Sequence, residues 1–68
     1  MIKKGVISNI TETSAEAFIP EENNAVTSML PLAKHIDPTT VNIGDKCVIA
    51  LFDADHISLA NGVIIAII

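Results

Sequence analysis

Apolar and polar positions along this chain fall into five short runs separated by turn-forming residues, and the last two runs set the frame for the rest. Gly44-Asp45 precedes Lys46-Cys47-Val48-Ile49-Ala50-Leu51-Phe52, and Asn61-Gly62 opens Val63-Ile64-Ile65-Ala66-Ile67-Ile68. Both runs have strand length, and each is introduced by a glycine beside an acidic or amide residue. They read as consecutive strands, about Asp45 to Phe52 and about Gly62 to Ile68, joined by the loop Asp53 to Ala60. At a period of two, Val63, Ile65 and Ile67 share one face of the last strand and Ile64, Ala66 and Ile68 the other, so both faces are apolar. One face fills a core. The other is expected to meet another subunit, a covering segment or a fibre axis.

The first three runs supply partners. Val6 to Thr11 is β-branched and has no helix cap, which predicts a first strand. Glu12-Thr13-Ser14 is a polar turn, after which Ala15 to Ile19 returns as a hairpin partner ending at Pro20; a helix from Ser14 would be closed by that proline after six residues. Glu21-Glu22-Asn23-Asn24 is the clearest turn, because asparagine tolerates left-handed backbone and the carboxylates avoid burial. Ala25 to Leu32 reads as a third strand at a rim, with Val26, Ser28, Leu30 and Leu32 on one face, Thr27 and Met29 on the other, and Pro31 marking an edge or bulge. Ala33 to Thr40 is a crossover with room for one short helical turn, and Pro38 holds Asp37 out of helical geometry. Five short strands with one longer connection before the fourth predict an all-β domain, a small five-stranded Greek-key (OB-like) barrel spanning residues 1–68.

Composition narrows the function classes. A 68-residue chain buries only roughly 60% of the surface its unfolded form exposes, so its core is thin. Cys47 is the one cysteine and the histidines number two, leaving neither a disulfide nor a clustered zinc site to reinforce it. Self-association is the remaining stabiliser. Half the residues are hydrophobic, yet Phe18 and Phe52 are the only aromatics and the net charge is -4. That balance repels phosphate and lacks stacking platforms, so nucleic acid is not an expected partner. Met1-Ile2-Lys3-Lys4 runs into Gly5 rather than into a long apolar region, and Gly62 to Ile68 is far shorter than the roughly 20 residues of a membrane helix. Cytoplasmic synthesis without membrane insertion is expected, which makes the glycosylation pattern Asn9-Ile10-Thr11 a chance match.

Four segments carry a further signal: Gly5-Val6-Ile7; Val26-Thr27-Ser28-Met29-Leu30-Pro31-Leu32; Val41-Asn42-Ile43-Gly44-Asp45-Lys46-Cys47-Val48; and Asn61-Gly62-Val63-Ile64-Ile65-Ala66-Ile67-Ile68. Their order resembles a family of short OB-fold proteins from phage tails and phage-derived contractile devices, the baseplate-assembly or tail-spike hub family. Ala66 stands where that family often has glycine. The chain shows no β-helical spike segment and no His-x-His pair of the kind that holds metal at a spike tip. The resemblance therefore implies a hub, adaptor or collar within a virion tail or phage-like particle, assembled as a trimer or alternatively a hexamer, rather than a membrane-piercing tip.

Candidate chemistry is weaker than candidate assembly. Asp53-Ala54-Asp55-His56 places oxygen and nitrogen ligands close together, but a calcium loop needs more of them and a glycine at the bend, so a solvated loop is the favoured reading. His35 or His56 with Cys47 is a nominal nucleophile and base; a cysteine inside an apolar strand is buried and inert instead. Glu21 and Glu22 are adjacent on a turn and point apart, unlike a paired acid and base. Lys3 and Lys4 are solubilising charges, and Met29 suits either an interface or a core gap. No catalytic residue, cofactor or metal is expected. The predicted oligomer interface comprises Ile64, Ile68, Met29 and Leu32, with other tail or baseplate proteins as further partners. The alternative function is an OB-type binding module for a ligand or single-stranded nucleic acid, which calls for a basic, aromatic-lined groove.

Overall fold

A computed structural model describes residues 1–52 and 59–68. Strand β1 spans Ile2–Ile10, β2 Ser14–Ile19, β3 Ala25–Val26, β4 Leu30–Pro31, β5 Lys46–Leu51 and β6 Gly62–Ile67; two 3-10 turns, η1 at Pro20–Glu22 and η2 at Pro38–Thr40, interrupt them. All six strands belong to one sheet in the order β3-β2-β1-β5-β6, with β4 also on β2, and every strand pairing is antiparallel. The all-β expectation holds. Among the described residues the strands do not close into a continuous barrel: a parallel bridge, Leu32 to Ile64, joins the chain after β4 to β6, with the Ala33 N–H donating to the Ile64 carbonyl at 2.9 Å.

The expected third strand is two strands, because the chain between them leaves the ladder. Thr27 sits at the break. Its N–H donates to the Ala17 carbonyl at 2.8 Å, and its Oγ1 accepts from the Ala17 N–H at 3.1 Å while donating to the Ser28 carbonyl at 2.8 Å. A side-chain oxygen thus takes the place of a ladder carbonyl, which satisfies a buried donor that burial would otherwise penalise.

Turn chemistry explains the connections. Ser14 donates its N–H to Thr11 Oγ1 at 3.1 Å, and Thr11 its N–H to the Ser14 carbonyl at 2.8 Å, closing the β1–β2 hairpin. Asn23 and Asn24 both take φ of 58°, the left-handed geometry expected of them. Between η2 and β5, Asp45 Oδ2 accepts from the Asn42 N–H at 2.8 Å, and Gly44 turns at φ +98° with open space around it. Gly44 also donates to the Ile7 carbonyl, so this turn extends the β1–β5 ladder.

The core lies on one face of the sheet. Ile7, Ile19, Leu30, Cys47, Ile49, Leu51 and Ile64 are fully buried there, with Ala15 and Ala17 letting β2 approach closely. Two bulges reset which residues point inward. Ile7 lies opposite Ala17 and Asn9 opposite Glu16, leaving Ser8 extra in β1; Ile49 lies opposite Ile64 and Val48 opposite Ala66, leaving Ile65 extra in β6. The next inward residues are accordingly Ile10 and Ile67, three positions on rather than two.

Candidate assembly surface

The bulge in β6 redistributes the residues predicted to form an interface. Ile64 is 0% exposed and packs against Ile49, so its side chain has no surface to give a neighbour. Leu32 is partly buried against the same core. Ile68 (69% exposed) and Met29 (37%) do reach the surface, on different elements: Ile68 follows β6, with its N–H donating to the Lys46 carbonyl, and Met29 lies between β3 and β4. A strict period of two placed Ile64 and Ile68 together. The extra residue at Ile65 separates them.

The outward set follows from the register. Ile2 lies opposite Ala50, which lies opposite Val63; Lys4 opposite Val48, which lies opposite Ala66; and Val6 opposite Lys46. Cross-strand partners share a face, so the stretch of β1 that pairs with β5, together with β5 and β6, presents an outer grid that is apolar except for two lysines, while the far end of β1 turns Asn9 outward opposite Glu16. Val48, Ala50, Val63, Ile65 and Ala66 are half-buried, and Ile2, Phe52 and Ile68 at its margin are each more than 60% exposed. Sequence reasoning missed Val48, Ala50, Val63 and Ile65 as surface residues; their alternation with Cys47, Ile49 and Leu51 was the available signal on β5.

Charge divides along the same sheet. β1, β5 and β6 contain Lys3, Lys4 and Lys46 and no carboxylate, whereas β2 and η1 contain Glu16, Glu21 and Glu22 and no lysine. Phe18 continues outward from Val6 and pairs with Val26, which is 50% exposed. Glu16 accepts from Ser8 Oγ at 3.2 Å. Among the described residues the one ion pair is Lys3–Glu22, at 3.3 Å.

Cys47 is fully buried; desolvation raises its thiol from 9.0 to about 11, against a weaker opposing hydrogen bond from Gly5, so little thiolate forms at neutral pH. His35 is exposed and lines an open cleft of about 290 Å³ with Ile36, Asp37, Thr40, Ala66 and Ile67. Asp37 is committed locally: its Oδ1 accepts from the Thr39 hydroxyl at 2.7 Å and the Thr39 N–H at 3.0 Å, which lowers its pKa. Glu21 and Glu22 lie in η1, with Glu22 on Lys3. The Asp53-Asp55-His56 reading lies outside the described residues. Among those described, no three His, Cys, Asp or Glu residues gather in metal-binding geometry, and no helix is long and apolar enough to cross a membrane. No protein family, no curated protein and no solved structure matches the chain.

Proposed function

We propose that this chain is a structural component of a phage tail or phage-derived contractile particle, a baseplate, hub or spike adaptor that acts by assembling with copies of itself. One observation carries the assembly: the outer face of β1, β5 and β6 is apolar across three strands, on a domain whose core is small. Full burial of an exposed aliphatic side chain contributes about 1.5–3 kcal/mol, and a whole domain holds about 5–15 kcal/mol, so covering several of these half-buried residues contributes a sizeable fraction of the stability of the fold. The work is mechanical, with apolar faces holding subunits around an axis and polar loops meeting the next protein in the particle. A trimer is the assembly drawn from the family resemblance, with a hexamer as its alternative.

The particle assignment rests on that resemblance and on the architecture it calls for, a small Greek-key OB-like barrel. Support comes from the neighbour relations β1–β2, β1–β5 and β5–β6, and from the bridge between Leu32 and Ile64 that brings the two ends of the sheet together. Within the segments quoted for the resemblance, Gly44-Asp45 lies in the turn pinned to β1, Leu30-Pro31 pairs with β2, and Gly62 starts β6.

Light scattering across a dilution series tests the assembly, and density-gradient purification of particles from the producing cells tests the setting. A three- or six-fold species that resists dilution, and the chain in stoichiometric amounts in tailed particles, are the expected results. A monomer at all concentrations overturns the assembly. Absence from purified particles overturns the tail assignment.

A further inference from the structure

The mode of contact follows from how charge is distributed on the two outer patches. The patch on β1, β5 and β6 carries Lys4 and Lys46 among apolar residues, and none of its three strands contains a carboxylate. The patch on β2, η1 and β3 carries Phe18 and Val26 with Glu16 and Glu21, and Glu22 there is already joined to Lys3. A face-to-face contact between two copies of the first patch sets Lys4 and Lys46 against their own equivalents. A contact between two copies of the second sets carboxylate against carboxylate. Only the first patch of one copy against the second patch of another places opposite charges across an apolar centre.

We propose that copies of this chain assemble with the Lys4/Lys46 face of β1, β5 and β6 docking on the Phe18/Val26 face of another copy with its Glu16 and Glu21. The two patches adjoin on the outer face of one sheet, where Val6 of β1 pairs with Phe18 of β2, so the same pairing is met once between successive copies of a ring or twice about a two-fold axis. Repeating such a contact gives a ring when the rotation closes. The proposal rests on the self-assembly argued above and adds which surfaces meet.

Charge reversal tests it. Lys4→Glu with Lys46→Glu leaves both faces of every copy acidic, and Glu16→Lys with Glu21→Lys leaves both basic; each pair is expected to raise the concentration of half-dissociation at least about tenfold at low salt. The four substitutions together restore complementarity with the signs exchanged and are expected to recover the wild-type mass by light scattering. All three variants are checked by far-UV circular dichroism and thermal unfolding. Lys4→Gln with Lys46→Gln, which removes charge without reversing it, is expected to fall between wild type and the reversed pair. Failure of the fourfold variant to reassemble, or no weakening by either pair, overturns this contact while leaving assembly itself standing. A monomeric wild type overturns both.

Discussion

Thr27 is the residue on which the break between β3 and β4 depends. It is 3% exposed, and its hydroxyl is the acceptor for the Ala17 N–H. Thr27→Val keeps the shape and removes that acceptor, so it is expected to lower stability by about 1–3 kcal/mol, with Thr27→Ser losing less. Urea unfolding followed by circular dichroism at fixed protein concentration reads this, since the chain has no Trp or Tyr. Cys47 gives a second measurable outcome. Its folded-state pKa is raised, so the folded form holds the proton more tightly; the stability from the neutral thiol is complete below the unfolded pKa near 9 and is lost as pH climbs towards about 11. Across that window the loss is about 2–3 kcal/mol. Cys47→Ala is expected to flatten the wild-type decline between those pH values, and native Cys47 is expected to resist thiol reagents until the chain unfolds. The burial of Cys47 was legible in its apolar setting. The burial of Thr27 was not, because alternation put it on the face opposite Leu30, whereas the irregular link turns both inward.

Elements were legible where turn chemistry brackets an apolar run. Ser14–Ile19, Lys46–Leu51 and Gly62–Ile67 all match strands expected from such brackets, and η2 falls in the crossover. β1 begins earlier than Val6 because Ile2, Lys3 and Lys4 pair with β5, a contact that no local pattern announces. What escaped detection is phase: inward residues step by three at Ile7 to Ile10, at Thr27 to Leu30 and at Ile64 to Ile67, and a bulge leaves no compositional mark. The interface prediction inherited that error at Ile64. The two roles within β6 separate by measurement: Ile64→Ala is expected to cost about 2–5 kcal/mol through a core cavity, whereas Ile68→Ala changes monomer stability by less than about 0.5 kcal/mol. At the head of the same strand, a Cβ on Gly62 meets the Ala50 carbonyl oxygen and comes within 2.9 Å of Leu51 Cδ2. Gly62→Ala is therefore expected to destabilise by about 1–3 kcal/mol, visible as a lower denaturation midpoint.

For the whole molecule, the apolar outer face and the segregated charges make different demands on solvent. In the proposed assembly, raising salt from about 0.05 M to about 0.5 M shrinks the screening length to a few ångströms and is expected to weaken the contacts between lysine and glutamate while leaving the apolar contribution in place. The wild-type dissociation midpoint should therefore rise with salt, and that of the Lys4→Gln, Lys46→Gln variant should rise less; sedimentation velocity reads both. The order of the sheet has one more consequence. Its middle strand is β1, flanked by β2 on one side and β5 on the other, so an early part of the chain must wait for a much later part before its second edge is covered. At about 5–20 residues per second of synthesis, that edge stays open for seconds on the ribosome. Completion then depends on a distant pairing that is slow by its topology. A nascent chain of this kind is most exposed to edge-to-edge aggregation before Lys46–Leu51 emerges, and co-expression with chaperones that shield unpaired strands should raise its soluble yield.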